Sequence, residues 1–210
     1  MSSRASIRHS SEFKSYLGTT GFSGMALAMQ QLLVSWILIG ILLLPADQVG
    51  FIQALIGVPG ILVMLIGGAS ADRVDARRLL IKVYLFAPIL PLYLVFVEQT
   101  SSLSVLTVTL FGLGMGIVSS YSTPAQQALL NRVSGSQVQE AVTAASAIGF
   151  VVQIVGLIIA GQMEVIGVSP VLIFQALSLF LAGLLMFRIS QSKPPDKQTG
   201  SSAIQEIRAG

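Results

Sequence analysis

The sequence predicts an all-α membrane protein of six transmembrane helices with both termini in the cytoplasm, and three observations predict it. Of 210 residues, 53% are apolar and only 10% are charged, a composition suited to hydrocarbon rather than water. Six apolar segments, interrupted by charge only at Lys82, are long enough to cross a bilayer core, which needs roughly 20 helical residues. If those six segments span, all 12 Lys and Arg residues fall on one face and the other face carries only Asp47, Glu98 and Glu164. That segregation is what the positive-inside rule requires of a cytoplasmic N-terminus and an even number of spans.

The spans are expected near residues 17–44, 49–70, 79–97, 103–126, 141–162 and 170–188. None alternates in polarity as a barrel strand would. The first is too long for the apolar core of a cleavable signal peptide, so it stays as a helix. In the second, Pro59 between Gly57 and Gly60 marks a bend. The third holds Lys82 one turn inside and Pro88 and Pro91 at its middle. It is expected as a kinked helix, because Lys can extend its ammonium to the headgroups and neighbouring helices re-satisfy carbonyls freed by Pro. Small residues in the fourth and fifth, Gly112 and Gly116 and then Gly156, Ala160 and Gly161, have the spacing of close helix packing. Residues 191–210 read as a polar, Pro-containing cytoplasmic linker.

Several function classes are excluded by what the chain lacks. It has no cysteine, and its single histidine, His9, sits in the polar N-terminal tail, so no disulfide framework, thiolate site or His-based metal cluster can be built. No nucleophile–base pair appears, so neither an enzyme nor a bound cofactor or metal is expected. The basic pI of about 9.5 belongs to topology rather than to nucleic-acid binding. No Asp or Glu lies inside a span, so these six helices offer no evident proton relay.

The most informative stretch runs from Gly67 to Arg78 and places Asp72, Arg73, Asp75, Arg77 and Arg78 within seven residues between the second and third spans. Gly67 and Gly68 allow a tight turn and close backbone approach. The helix dipole disfavours Arg77 and Arg78 at the start of a helix, so a carboxylate or an anionic lipid is expected to hold them. The spacing from Gly68 to Asp72–Arg73 and on to Arg77–Arg78 resembles the loop between helices 2 and 3 of the major facilitator superfamily, Gly-x-x-x-Asp-Arg-x-Gly-x-Arg-Arg, with Asp75 where glycine is common. The Asp-Arg-Val-Asp form resembles the enterobactin-exporter-like (transmembrane secretion effector) branch, as do Trp36, the stretch Thr123 to Leu130, and Gly156 to Gly161. Leu157 stands where the wider family's antiporter pattern has proline.

The resemblance implies the amino-terminal six-helix half of a bundle that has two such halves around a central cavity. The partner expected for this chain is then a second six-helix half or a second copy of itself, in the bacterial inner membrane. A truncated product and a split half stay open. The implied function is secondary active export of small amphipathic molecules by alternating access; the alternative is a non-transporting remnant or accessory subunit. Gly68, Asp72, Arg73, Asp75, Arg77 and Arg78 would form the gating loop. Cavity-lining candidates are Gln30, Gln31, Trp36, Ser119, Tyr121 and Gln153, with Ser35, Gln53 and Ser120 as further polar residues at mid-span. Against each stands the ordinary alternative of an interhelical hydrogen bond worth about 0.6 kcal/mol.

Overall fold

A computed structural model describes residues 11–67 and 75–190, with side chains for all of these except 62–67. Among the described residues every regular element is helical. Helix α1 spans Ser11–Trp36 and continues through a π-helical turn, Ile37–Ile41. It is followed by α2 (Ala46–Gly67), α3 (Ala76–Phe86), α4 (Ile89–Gln99), α5 (Val105–Ser134), α6 (Val138–Gly161), α7 (Met163–Ile166) and α8 (Val168–Met186). Five stretches are long and apolar enough to cross a membrane: 11–41, 76–99, 105–134, 138–166 and 168–186. The 22-residue, apolar α2 is a candidate for a sixth pass.

Local chemistry explains where these elements start and stop. At the head of α3 the Asp75 carboxylate accepts from the Arg77 backbone N–H at 3.1 Å, an N-cap bond. Ser104 and Thr107 close a reciprocal capping box at the start of α5, with Thr107 N–H on Ser104 Oγ at 3.3 Å and Ser104 N–H on Thr107 Oγ1 at 3.0 Å. The third pass is split rather than bent. Pro91 cannot donate to the Ala87 carbonyl, which instead accepts from Leu90 at 3.0 Å in a turn that ends α3 and starts α4. Helix α2, by contrast, continues through Pro59. Gly167, with φ of 86°, separates α7 from α8. Several helices run past the apolar runs that announced them, α1 back to Ser11 and α5 on to Ser134, because helical hydrogen bonding continues where a chain leaves lipid.

Helix α1 packs against α5, α6 and α8; α2 packs against α5; α3 and α4 lie between α5 and α8. Exchanging the first three passes for the last three maps this pattern onto itself: α1 on α6 becomes α5 on α2, and α1 on α8 becomes α5 on the α3–α4 pass. Three is odd, so the second triplet starts on the opposite side from the first, the arrangement of an inverted repeat.

Backbones approach closely at two of these interfaces. A Cβ on Gly156 would lie 2.6 Å from the Met25 carbonyl oxygen of α1, and one on Gly116 would lie 2.7 Å from the Ile56 carbonyl oxygen of α2. Ala160, one turn from Gly156, is fully buried. Gly161 departs from the packing role expected of it, since nothing lies within 4 Å of the space its side chain would fill. A three-residue spacing of small side chains cannot say which face meets a neighbour.

Buried polar groups tie the same helices together. Gln126 of α5 donates its amide to Ser23 Oγ of α1 at 2.9 Å and to the Tyr84 hydroxyl of α3. The Tyr16 hydroxyl donates to the Gln126 carbonyl at 3.2 Å. Further along α1, Gln175 of α8 donates to the Ala26 carbonyl at 3.0 Å and to Gln30 Oε1 at 3.1 Å.

Gly156→Val should lower stability by about 1–3 kcal/mol through overpacking against a backbone that cannot turn aside, whereas Gly161→Val should change it by less than about 0.5 kcal/mol. Unfolding midpoints in detergent micelles read the difference, and equal losses would refute the close approach. Gln126→Leu removes the amide that Ser23 and Tyr84 share and should cost about 1–3 kcal/mol. Tyr84→Phe leaves the Gln126–Ser23 bond in place and should cost less, about 0.6 kcal/mol; the reverse order in denaturant titrations would contradict the network.

Candidate functional site

Helices α1, α2, α5 and α6 share one concave face. Between α1 and α6 lies an open hollow of about 430 Å³, lined by Gly24, Leu27, Ala28, Gln31, Ser146, Gly149, Phe150 and Gln153. A second of about 300 Å³ lies between α1, α2 and α5, bordered by Gln31, Gln53, Ile56, Met115 and Ser119 among others. Leu27 and Gln31 belong to both, so Gln31 stands on the ridge that joins them. Among the described residues, none that lines either hollow is charged. The polar groups are amides and hydroxyls, each able to donate and accept. Gln53 donates to Ser35 Oγ at 2.9 Å, and Ser35 donates to the Gln31 carbonyl at 2.9 Å, which links α2 to the α1 ridge.

The residues expected to line a cavity are divided by this geometry. Gln31, Ser119 and Gln153 lie on the concave face. Gln30 borders the smaller hollow but turns its amide inward to Gln175, and its Nε2 is buried without a hydrogen-bond partner. Trp36 and Tyr121 line neither hollow. The Trp36 ring packs over Gly40, within 3.3 Å of where a Cβ would stand, in the π-helical turn, and Tyr121 is exposed on α5. Ser120 is occupied within its own helix, donating to the Gly116 carbonyl at 2.7 Å.

Of the charged loop, Gly68, Asp72 and Arg73 lie outside the described residues. Asp75, Arg77 and Arg78 are described, and Asp75 serves both its neighbours: it caps Arg77 N–H and stands 3.6 Å from Arg78 Nε. Arg77 is buried and reaches across to α8, donating Nη2 to the Phe187 carbonyl at 3.3 Å. The dipole of α3 disfavours a cation at its start. The antiparallel α8 ends beside it, and a helix C-terminus favours one. Arg132 at the end of α5 does the same, donating to the Ser190 carbonyl at 2.6 Å, while Ser190 N–H donates to Glu12 of α1 at 3.2 Å. At the other end of the bundle, Ser169 of α8 donates to the Glu98 carboxylate in the last turn of α4.

Sequence reading missed three parts of this arrangement. Ser146 gave no signal, since a serine among small residues on α6 is unremarkable until Gln153 is seen two turns away on the same hollow. Gln175 did give one: it is the lone amide in an otherwise apolar span, and its partners are across the bundle in α1. Tyr84 and Gln126 lie 42 positions apart, and only the packing of α3 on α5 brings them together.

A family model described as Transmembrane secretion effector matches residues 2–210. No curated protein and no solved structure matches the chain. The matched range covers every helix described above, and a charge-free concavity on one side of a multi-pass helical bundle suits a family of transporters. The chain belongs to the transmembrane secretion effector family of the major facilitator superfamily.

Proposed function

We propose that this chain is one six-helix half of a secondary active transporter that exports small amphipathic molecules across the bacterial inner membrane. The observation that carries the reading is the uncharged concave face of α1, α2, α5 and α6, with Gln31 at the junction of its two hollows. Apolar walls from Leu27, Ile56, Met115 and Phe150 take the apolar part of a solute. Gln31, Gln53 and Gln153 take its polar part by bonds worth about 0.5–1.5 kcal/mol each, weak enough for release. Amides that both donate and accept suit a range of neutral or delocalised polar groups rather than one fixed ligand.

An open concavity needs a second wall, which a second six-helix half or a second copy of this chain would supply. Rocking of the two units about the site then exposes it to each side in turn. With both termini cytoplasmic, the orientation that the charge distribution supports, the loop from Gly68 to Arg78 lies on the inner side, where Asp72 and Arg73 act as a latch to the second unit. An exposed pair is worth about 0–1 kcal/mol, which suits a contact that must open once in each cycle.

Efflux of a fluorescent lipophilic dye from cells expressing the full chain tests the site. Gln31→Ala or Gln153→Ala should raise the dye KM about 3–10-fold, the value of one lost hydrogen bond, while Tyr121→Phe stays within twofold. Equal effects at all three would refute the assigned face. Export by the purified chain alone in liposomes would identify a second copy as the second wall; no efflux in either setting would support a non-transporting accessory subunit. Asp72→Ala should reduce efflux several-fold with membrane insertion retained, and unchanged efflux would reject the latch.

A further inference from the structure

The outward flank of the third pass and α8 carries chemistry that transport through the concave face does not use. Along α3 and α4 the exposed residues Arg78, Lys82, Phe86, Ile89, Tyr93 and Phe96 recur every three or four positions, a single stripe along the whole pass. The first two are cations and the remainder are apolar or aromatic. On α8 the exposed Leu184 and Phe187 lead in the same way to exposed Arg188. Two contacts set the antiparallel register of these helices: Arg77 Nη2 reaches the Phe187 carbonyl at 3.3 Å, and a Cβ on Gly183 would lie 3.0 Å from Leu85 Cδ2. Arg78 and Lys82 therefore lie level with the last turn of α8 and with Arg188, three cations at one end of two apolar stripes.

Among the described residues, compensating charge is scarce at that end, where Glu12 is engaged by Ser190. Arg77 is buried and committed to the end of α8. Among the described residues, Asp75 is the one carboxylate in contact with these cations, 3.6 Å from an Arg78 side chain that is 66% exposed. Among the described residues, no carboxylate pairs with Lys82 or Arg188. The cations also cannot retreat far into water, because the apolar stripes below them fix the depth of the flank in the bilayer.

We propose that this flank binds an anionic phospholipid, with its phosphate headgroup held by Arg78, Lys82 and Arg188 and its acyl chains lying along the stripe from Phe86 towards Phe96. The charge of the site selects the sign of the ligand. The stripe selects a lipid over a free anion, which would gain nothing from it. Each basic residue near a membrane surface favours anionic lipid by about fivefold. This binding depends on membrane embedding alone, so it stands or falls separately from export.

The test is native mass spectrometry of the purified full chain in micelles titrated with phosphatidylglycerol or phosphatidylcholine. The wild-type chain should retain phosphatidylglycerol at least tenfold better. The Arg78→Gln, Lys82→Gln, Arg188→Gln triple variant should lose that preference at least tenfold with an unchanged unfolding midpoint in lipid-free micelles, since all three side chains are exposed. If the triple variant does not purify, Lys82→Gln alone should lose about fivefold. Lys197→Gln, a cation outside the described residues, should retain the lipid within twofold. Equal retention of the two lipids would overturn the proposal, as would an unaffected triple variant, an equal loss in Lys197→Gln, or displacement of phosphatidylglycerol by millimolar inorganic phosphate.

Discussion

In hydrocarbon an apolar side chain gains little by turning inward, so this bundle depends on how closely its helix backbones can approach. Gly156 against the Met25 carbonyl brings α6 onto α1, and Gly116 against the Ile56 carbonyl brings α5 onto α2. Gly183 against Leu85 does the same for α8 and α3. At these distances the gain comes from dispersion between main chains and from weak Cα–H···O contacts. Each of the three contacts joins one pass from the first triplet to one from the second. The two halves of the inverted repeat are therefore held by contact between them more than within them, and the concave face is the space their interleaving leaves open.

Buried hydrogen bonds add what close packing cannot, a defined register. Gln126 engages Ser23 and Tyr84 on two different helices, and Gln175 engages both the backbone and a side chain of α1. Sliding α5 or α8 by one turn would strand these groups in a medium with no water to replace their partners. The inward turn of Gln30 follows from the same constraint: its carbonyl oxygen is the acceptor that Gln175 needs. Gln31, one position on, has no such claim on it and faces the hollow.

Much of this was legible in the sequence because lipid narrows the choices. Continuous apolar runs announce helices, and the close approaches at Gly112, Gly116 and Gly156 follow from small-residue spacing. Gly161 shows the limit of that reading, because spacing along one helix does not locate a second. The same gap explains Trp36 and Tyr121, polar or aromatic residues at mid-span that the packing turns away from both hollows. Arg77 is the clearest case. Judged by its own helix it sits at an unfavourable end, and only the antiparallel neighbour reveals the carbonyl that receives it.

The resolution of Arg77 bears on how such a bundle can move. Arg77 and Arg132 both donate to backbone carbonyls after the end of α8, and Glu12 accepts from Ser190 at the same place. Three passes thus converge on a few residues at the basic end, where Arg77, Arg132 and Glu12 engage backbone groups rather than each other. Contacts of that kind persist as long as the helices of one half move together. Asp75 is likewise spent within its own turn, on Arg77 N–H and Arg78. A unit whose described ionic contacts are directed inward resists internal shear, and it is free to pivot as a rigid body wherever a partner meets its concave face. The proposed rocking of whole halves would therefore break fewer of these bonds than a rearrangement among the helices of this chain.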